Sequence, residues 1–180
     1  MAVVNKYVNA SVEAGKIANA ALVNGAPMIG MVATEEITAG DSATSVYRFF
    51  KGVSGNLIPI DLRLYVDDAV TDESDADIGL YEQSIYNGTD GAVISADVFA
   101  DSMDLIPASG SLRGGVAGGH DLGADGLGSV DIANLTKKIY EHAGHTVLTA
   151  KAGYDICVTL NTGVTTTGGT LTLIGEFIQG

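Results

Sequence analysis

The stretch LIPIDLRLYV, residues 57–66, alternates apolar and polar side chains with a period of two. Successive side chains of a strand point to opposite faces of a sheet, so this period predicts a half-buried strand. The predicted apolar face consists of Ile58, Ile60, Leu62, Leu64 and Val66, and the opposite face of Pro59, Asp61, Arg63 and Tyr65. A proline near the start suits the beginning of a strand or an edge strand.

Further strands are predicted at short spacing, without the strand–helix alternation of a parallel sheet. They are SVYRFFKGV (45–53), ADIGLYE (76–82), AVISADVFADSMDLI (92–106, one or two strands), AGYDICVTLN (152–161) and GGTLTLIGEFIQ (168–179). The chain holds 24 glycines and many threonines, which are poor helix formers. The pattern predicts an all-β fold, an antiparallel β-sandwich or jelly roll.

One short helix is predicted within SVDIANLTKKIYEHAGH, residues 129–145, because Ile132, Leu135 and Ile139 recur at helical spacing. Gly144 is expected to end it. The preceding residues 109–129 are so rich in glycine that they predict a long surface loop rather than regular structure.

The N-terminal residues alternate only weakly and hold few large apolar side chains, which indicates an extended arm. Residues 1–44 are therefore assigned to an N-terminal arm and first strands, and residues 45–180 to the sandwich domain. An arm without a core of its own gains stability by adding to another subunit. The predicted contact residues, with a partner or a second copy, are Val3, Val4, Tyr7, Val8, Val12 and Ile17. A chain starting near Ala33 is expected to keep its fold and bind more weakly.

Charge and cysteine content exclude several classes of protein. Acidic residues outnumber basic ones 22 to 9, a formal net charge of −13, whereas nucleic-acid binders need a basic surface. Cys157 is the only cysteine, so no internal disulfide is predicted, and the expected role is a small buried or interfacial thiol. No signal peptide or bilayer-length apolar stretch is present, which predicts a soluble protein made in a cytoplasm, with no membrane partner.

Six carboxylates stand between two predicted strands: Asp67, Asp68, Asp72, Glu73, Asp75 and Asp77. Their spacing does not match an EF-hand loop, which needs a glycine at position six and a glutamate at position twelve. We interpret the run as the solvated loop of a hairpin, with cation binding as the alternative.

Histidines and the glycine-rich loop offer no supported catalytic constellation. His142 and His145 flank the expected helix end and lack the two-histidine, one-glutamate pattern of zinc proteases. His120 stands alone in the glycine-rich loop, which also lacks the Gly-Lys-Ser/Thr ending of a phosphate-binding loop. The sequence therefore predicts no catalytic residue, no metal ligand and no cofactor.

The order of these segments resembles a known group of proteins. DLRLYVDD leads to ADIGLYE, then to GAVISADVFADSMDL, a glycine-rich segment, a short helix, and AGYDICVTLN followed by TTTGGTLTLIGEFI. Over residues 45–180 this resembles the head decoration or cement proteins of tailed bacteriophages, which have jelly-roll-like sandwiches.

The resemblance implies a non-enzymatic virion protein assembled in the host cytoplasm. The implied partners are the major capsid protein on the outer surface of the head and further copies of the chain, with a trimer favoured. A tail, baseplate or fibre-attachment protein is the alternative. A carbohydrate-binding or hydrolytic sandwich is weakened by the absence of tryptophan, since sugar-binding grooves rely on aromatic platforms.

Overall fold

A computed structural model describes residues 5–7, 28–66, 70, 75–83, 90–105, 136–147 and 153–180. Within these ranges the chain forms eight strands and one four-residue helix. They are β1 (Asn5–Tyr7), β2 (Met28–Ile37), β3 (Val46–Ser54), β4 (Leu57–Val66), β5 (Asp75–Glu82), β6 (Val93–Asp104), α1 (Ile139–His142), β7 (Gly153–Leu160) and β8 (Gly169–Gln179). The predicted all-β sandwich with one short helix is confirmed.

The strands form a five-stranded sheet in the order β1-β3-β7-β5-β6 and a three-stranded sheet in the order β2-β8-β4. All pairings are antiparallel except that of β1 with β3. The hydrophobic core draws on side chains of both sheets, including Phe49, Ile156 and Phe177. As predicted, Tyr154, Ile156, Val158 and Leu160 of β7 all belong to this core.

A bulge in β4 changes which side chains are buried. Pairing with β8 passes from Pro59 directly to Asp61, so Ile60 is the extra residue. Leu57, Pro59, Leu62, Leu64 and Val66 are buried, whereas Ile60 is 40% exposed and Ile58 is only partly buried. The predicted single apolar face is therefore wrong for Ile58 and Ile60, because one inserted residue reverses the alternation. Pro59 lies in an edge strand, as expected.

β4 and β5 do not form a hairpin. β4 belongs to the three-stranded sheet and β5 to the five-stranded sheet, where β5 pairs with β6 and β7. The interpretation of residues 67–77 as a hairpin loop is therefore wrong, and Asp75 and Asp77 lie inside β5. The chain therefore passes from one sheet to the other between β4 and β5. Each of these two strands buries the face that it turns towards the opposite sheet.

The helix is shorter than its pattern indicated. α1 starts after Lys138, whose backbone N–H donates to the Glu141 carboxylate at 2.7 Å. Gly144, with φ +77°, follows its end as predicted, since a glycine adopts this left-handed conformation without strain. Ile132 and Leu135, like the predicted glycine-rich loop 109–129, lie outside the described residues.

β2 lies within residues 1–44, which were predicted to hold an arm and first strands without bounds for any strand. It pairs with β8 over ten residues, from Met28 to Ile37, and its Ile29 and Met31 pack against the core. A chain starting at Ala33 would lose half of this strand, so a truncation that tests the arm has to end before Met28.

Arg48 of β3 links this strand to two others of the five-stranded sheet and to the segment before β6. Its side chain is only 2% exposed, and its Nη1 donates to Asp155 Oδ2 at 2.9 Å and to the Glu82 carbonyl at 3.2 Å. Its Nη2 donates to the Gly91 carbonyl at 2.6 Å. The guanidinium also lies over the Tyr81 ring, 5.2 Å from its centroid. One side chain of β3 therefore contacts β7, the end of β5 and the segment that precedes β6.

Backbone geometry also holds the partners of Arg48 in position. Asp155 Oδ1 accepts a hydrogen bond from the Gly52 N–H at 2.9 Å, so both carboxylate oxygens are used. Gly91 lies so close to the Glu82 carbonyl that a Cβ there would come within 1.8 Å of its oxygen. A glycine at this position is therefore required for the carbonyl of residue 91 to reach Arg48.

We expect Arg48→Met to lower the free energy of unfolding by about 3–5 kcal/mol, because it leaves the Asp155 carboxylate buried without its cation. Adding Asp155→Leu to that variant should restore part of the loss. Arg63→Met is the matched control, since the Arg63–Asp61 ion pair is exposed at Arg63, and its effect should be far smaller. Urea unfolding of the four proteins measures this, and equal losses for Arg48→Met and Arg63→Met would contradict it.

Candidate interaction surface

Most charged and titratable groups of the described residues make contacts that stabilise the fold. Tyr47 lies in the core, and its hydroxyl donates to Asp41 Oδ2 at 2.5 Å. The same oxygen accepts the Thr38 N–H at 3.0 Å. Burial, reinforced by Asp41, raises the pKa of Tyr47 far above its ordinary value. This cluster fixes the turn after β2 against the core.

The two acidic residues at the start of β5 are hydrogen-bonded acceptors. Asp77 Oδ1 accepts from the Ser102 N–H at 2.8 Å and from Asn161 Nδ2 at 2.6 Å, and Asp75 accepts from the Thr162 hydroxyl at 2.9 Å. Burial raises the pKa of Asp77, against the effect of these two bonds. Asp75 and Asp77 thus join β5 to its neighbours. Asp67, Asp68, Asp72 and Glu73 lie outside the described residues.

His142 and His145 contact different aromatic rings. His142 meets Phe99 of β6 edge-on at a centroid distance of 5.3 Å, and His145 lies 6.2 Å from the ring of Tyr154. His142 Nε2 is buried without a hydrogen-bond partner, and burial lowers the pKa of this imidazole to about 4. The arrangement packs α1 onto the sandwich. His120 lies outside the described residues.

Metal-ligating clusters and membrane-spanning helices are both absent from the described ranges. There, no cluster of three or more histidine, cysteine or acidic side chains is arranged to hold a metal ion. In the described part of the chain, no helix has the length and apolarity needed to cross a bilayer. Cys157 is fully buried beside Val46 and Tyr81, and burial raises the pKa of its thiol.

The predicted arm contacts are described only at β1. There the backbone of Asn5–Tyr7 pairs in parallel with Val46–Arg48, so part of the arm adds a strand to the edge of its own five-stranded sheet. Tyr7 falls within this strand. The other predicted contact residues, Val3, Val4, Val8, Val12 and Ile17, lie outside the described residues.

The three-stranded sheet presents a second face, away from the core, which we call the outer face. Cross-strand partners share a face of the sheet, so the register with β8 assigns its members. They are Met28, Gly30, Val32, Thr34 and Glu36 of β2, Thr170, Thr172, Ile174, Glu176 and Ile178 of β8, and Ile58, Asp61, Arg63 and Tyr65 of β4. A Thr34–Thr172 hydroxyl contact of 3.1 Å confirms this alignment.

One end of the outer face is apolar. The next row across the face contains two acidic residues, Glu176 and Asp61. Ile178 of the central strand lies opposite Met28 and Ile58, and Ile174 lies opposite Val32 and Arg63. Val32 is 41% exposed, although it lies in the middle of a strand. The sequence signal was the TLTLIGEFI run of β8, in which isoleucines occupy the alternate positions that a solvated face would fill with polar residues.

Glu176 stands between these isoleucines. Its cross-strand neighbours are Gly30 on one side and Asp61 on the other. Asp61 forms an ion pair with Arg63. Among the described residues Glu176 has neither a hydrogen-bond nor an ion-pair partner, although its side chain is partly buried. The outer face therefore places a carboxylate without a counter-charge among the described residues between apolar side chains of β2 and β8 and the Asp61–Arg63 ion pair of β4.

Neither a protein-family model nor a curated protein sequence matches the chain. Among solved structures, a chain of the cyanophage Pam1 capsid asymmetric unit is similar, with a TM-score of 0.54 and 10% identity, over 95% of this chain and 99% of that chain. A chain of the capsid of Ralstonia phage GP4 is similar with a TM-score of 0.51 and 16% identity, over 86% of this chain and 84% of that chain. At these identities the likeness establishes a shared fold and assigns no residue a role.

The burial of His142 predicts a loss of stability in acid. Its pKa is about 4 in the folded protein and near 6.5 in the unfolded chain, so between these values only the unfolded chain gains the proton. Stability present above pH 6.5 should therefore fall as the pH drops towards 4, by at most about 3 kcal/mol.

Urea unfolding at pH 7 and pH 4.5 measures this effect. His142→Leu should reduce the difference between the two pH values, and His145→Leu, at an exposed histidine, should not. Asp77, whose pKa is raised, acts in the opposite direction in all three proteins and cancels from the comparison. An unchanged difference in His142→Leu would show that this imidazole is already solvated.

Proposed function

We propose that this protein is a non-enzymatic structural component of a bacteriophage virion, a decoration or cement protein on the outer surface of the head. The observation that supports this most directly is the shared fold with a chain of the cyanophage Pam1 capsid asymmetric unit. Because the alignment covers nearly all of both chains, a chain of this size and architecture is a component of that capsid. The Ralstonia phage GP4 capsid supplies a second example.

The physical properties of the chain agree with a position on the outside of a shell. A net charge of −13 opposes contact with packaged DNA and favours a partner surface that carries basic residues. The proposed partners are the major capsid protein and two further copies of the chain in a trimer. The titratable clusters described above have structural roles, which agrees with a protein that binds rather than catalyses.

Co-sedimentation with capsids tests the proposal. The purified protein is mixed with capsids assembled from the major capsid protein encoded in the same genome. Binding at a fixed number of copies per capsid, with density on the outer surface in electron cryomicroscopy, is the expected result. The absence of binding, or localisation to tails in virions, would reject the head decoration role, and the second result would favour the tail or baseplate alternative.

The role of the N-terminal arm is tested by a chain that starts at Ala26, directly before β2. The loss of β1 removes three paired residues, so we expect a change in the free energy of unfolding of no more than about 1–2 kcal/mol. Capsid occupancy should fall at least tenfold, since Val3, Val4, Val8, Val12 and Ile17 are removed with Tyr7. A chain starting at Ala33 is the comparison and should be destabilised, because half of β2 is lost. Unchanged occupancy for the Ala26 chain would exclude the arm as an anchor.

A further inference from the structure

The outer face of the three-stranded sheet contains an electrostatic conflict. Glu176 and Asp61 are direct cross-strand neighbours, and like charges in that position destabilise a sheet. The Arg63 guanidinium pairs with Asp61 and leaves Glu176 without a counter-charge among the described residues. A glutamine at position 176 would remove the repulsion without altering the shape, so the isolated chain gains nothing in stability from this carboxylate.

The surroundings of Glu176 have the shape and chemistry that suit a long basic side chain. Gly30, its neighbour on β2, contributes no side chain to this row of the face. On the β2 side of the face the two neighbouring rows are apolar, with Met28 opposite Ile178 and Val32 opposite Ile174, and on the β4 side Arg63 completes the second row. Lysine and arginine combine an aliphatic stem, which packs on apolar groups, with a charged end.

This inference rests on the proposed function. We propose that the outer face docks on the capsid shell and receives a lysine or arginine side chain of the major capsid protein. Its stem lies over Gly30 between the four apolar side chains, and its cationic end pairs with Glu176. Docking then supplies the counter-charge that the isolated chain lacks. Val32, which is 41% exposed, becomes covered in the same contact.

The same observations argue against a second copy as the occupant. Glu176 belongs to β8, the central strand of this sheet. A two-fold symmetric contact through the middle of the outer face would bring the two Glu176 carboxylates towards each other. Each chain also carries a net charge of −13. Self-association through this face is therefore opposed both by the repulsion between the two Glu176 carboxylates and by the repulsion between the two net charges.

Substitutions at position 176 separate docking from folding. Glu176→Gln should weaken capsid binding about tenfold or more, since it removes one partner of a charge pair enclosed by apolar groups. Glu176→Lys should abolish binding. In the isolated protein both variants should match or exceed the wild-type urea midpoint, because the repulsion from Asp61 is removed or replaced by attraction. A residue with a purely structural role would not show lost binding together with retained stability.

A matched pair of valines tests the apolar part of the face. Val32→Glu adds charge to the outer face, and Val93→Glu adds the same charge to an even more exposed position, 57% exposed, in the other sheet. Only Val32→Glu should lower occupancy on the capsids. The oligomeric state, measured by light scattering, should be the same in both variants and the wild type.

The outcomes distinguish the two proposals. If the wild type does not bind capsids, the proposed function fails. If the wild type binds but Glu176→Gln and Val32→Glu bind as well as it does, the function stands and this docking face is wrong. If Val32→Glu changes the oligomeric state and Val93→Glu does not, the face joins copies of this chain, which also overturns the inference.

Discussion

The Arg48–Asp155 ion pair is the interaction on which the five-stranded sheet depends. It joins residues 107 positions apart in the chain, and the other two hydrogen bonds of Arg48 end on backbone carbonyls of different segments. A buried ion pair contributes little net stability compared with apolar residues of the same volume, but breaking it is costly. We infer that its main effect is on specificity, because this arrangement of β3, β5 and β7 gives partners to both carboxylate oxygens of Asp155 and to Nη1 and Nη2 of Arg48.

The charged side chains of the two sheets differ in whether they have partners within the chain. In the five-stranded sheet, Arg48, Asp155 and Asp77 have partners within the chain, and the side chains around Cys157 are buried. In the three-stranded sheet, Glu176 has none among the described residues, and its neighbours on the outer face are Gly30, the apolar side chains of β2 and β8, and Asp61. The proposed docking surface follows from this unmatched carboxylate.

This asymmetry fits a protein that must fold alone and then attach to a shell. The core and the Arg48 network are formed within one chain. The outer face offers apolar area, whose burial supplies affinity, and a carboxylate, whose position selects a basic surface in one orientation. In the proposed function, the net charge of −13 adds long-range attraction to such a surface.

The sequence by itself determined the local elements. A period of two is a property of neighbouring residues, so β3, β5, β7 and β8 were visible as strands, as was the apolar face of β7, and Gly144 marked the helix end. The tertiary structure decided what depends on distant partners. The bulge that turns Ile58 and Ile60 outward exists only relative to β8. The division of β4 and β5 between two sheets depends on which core each face meets, and the bounds of β2 follow only from its pairing with β8. The same holds for the outer face, because Glu176 reads as an ordinary solvated residue until the register places Gly30 and Asp61 beside it.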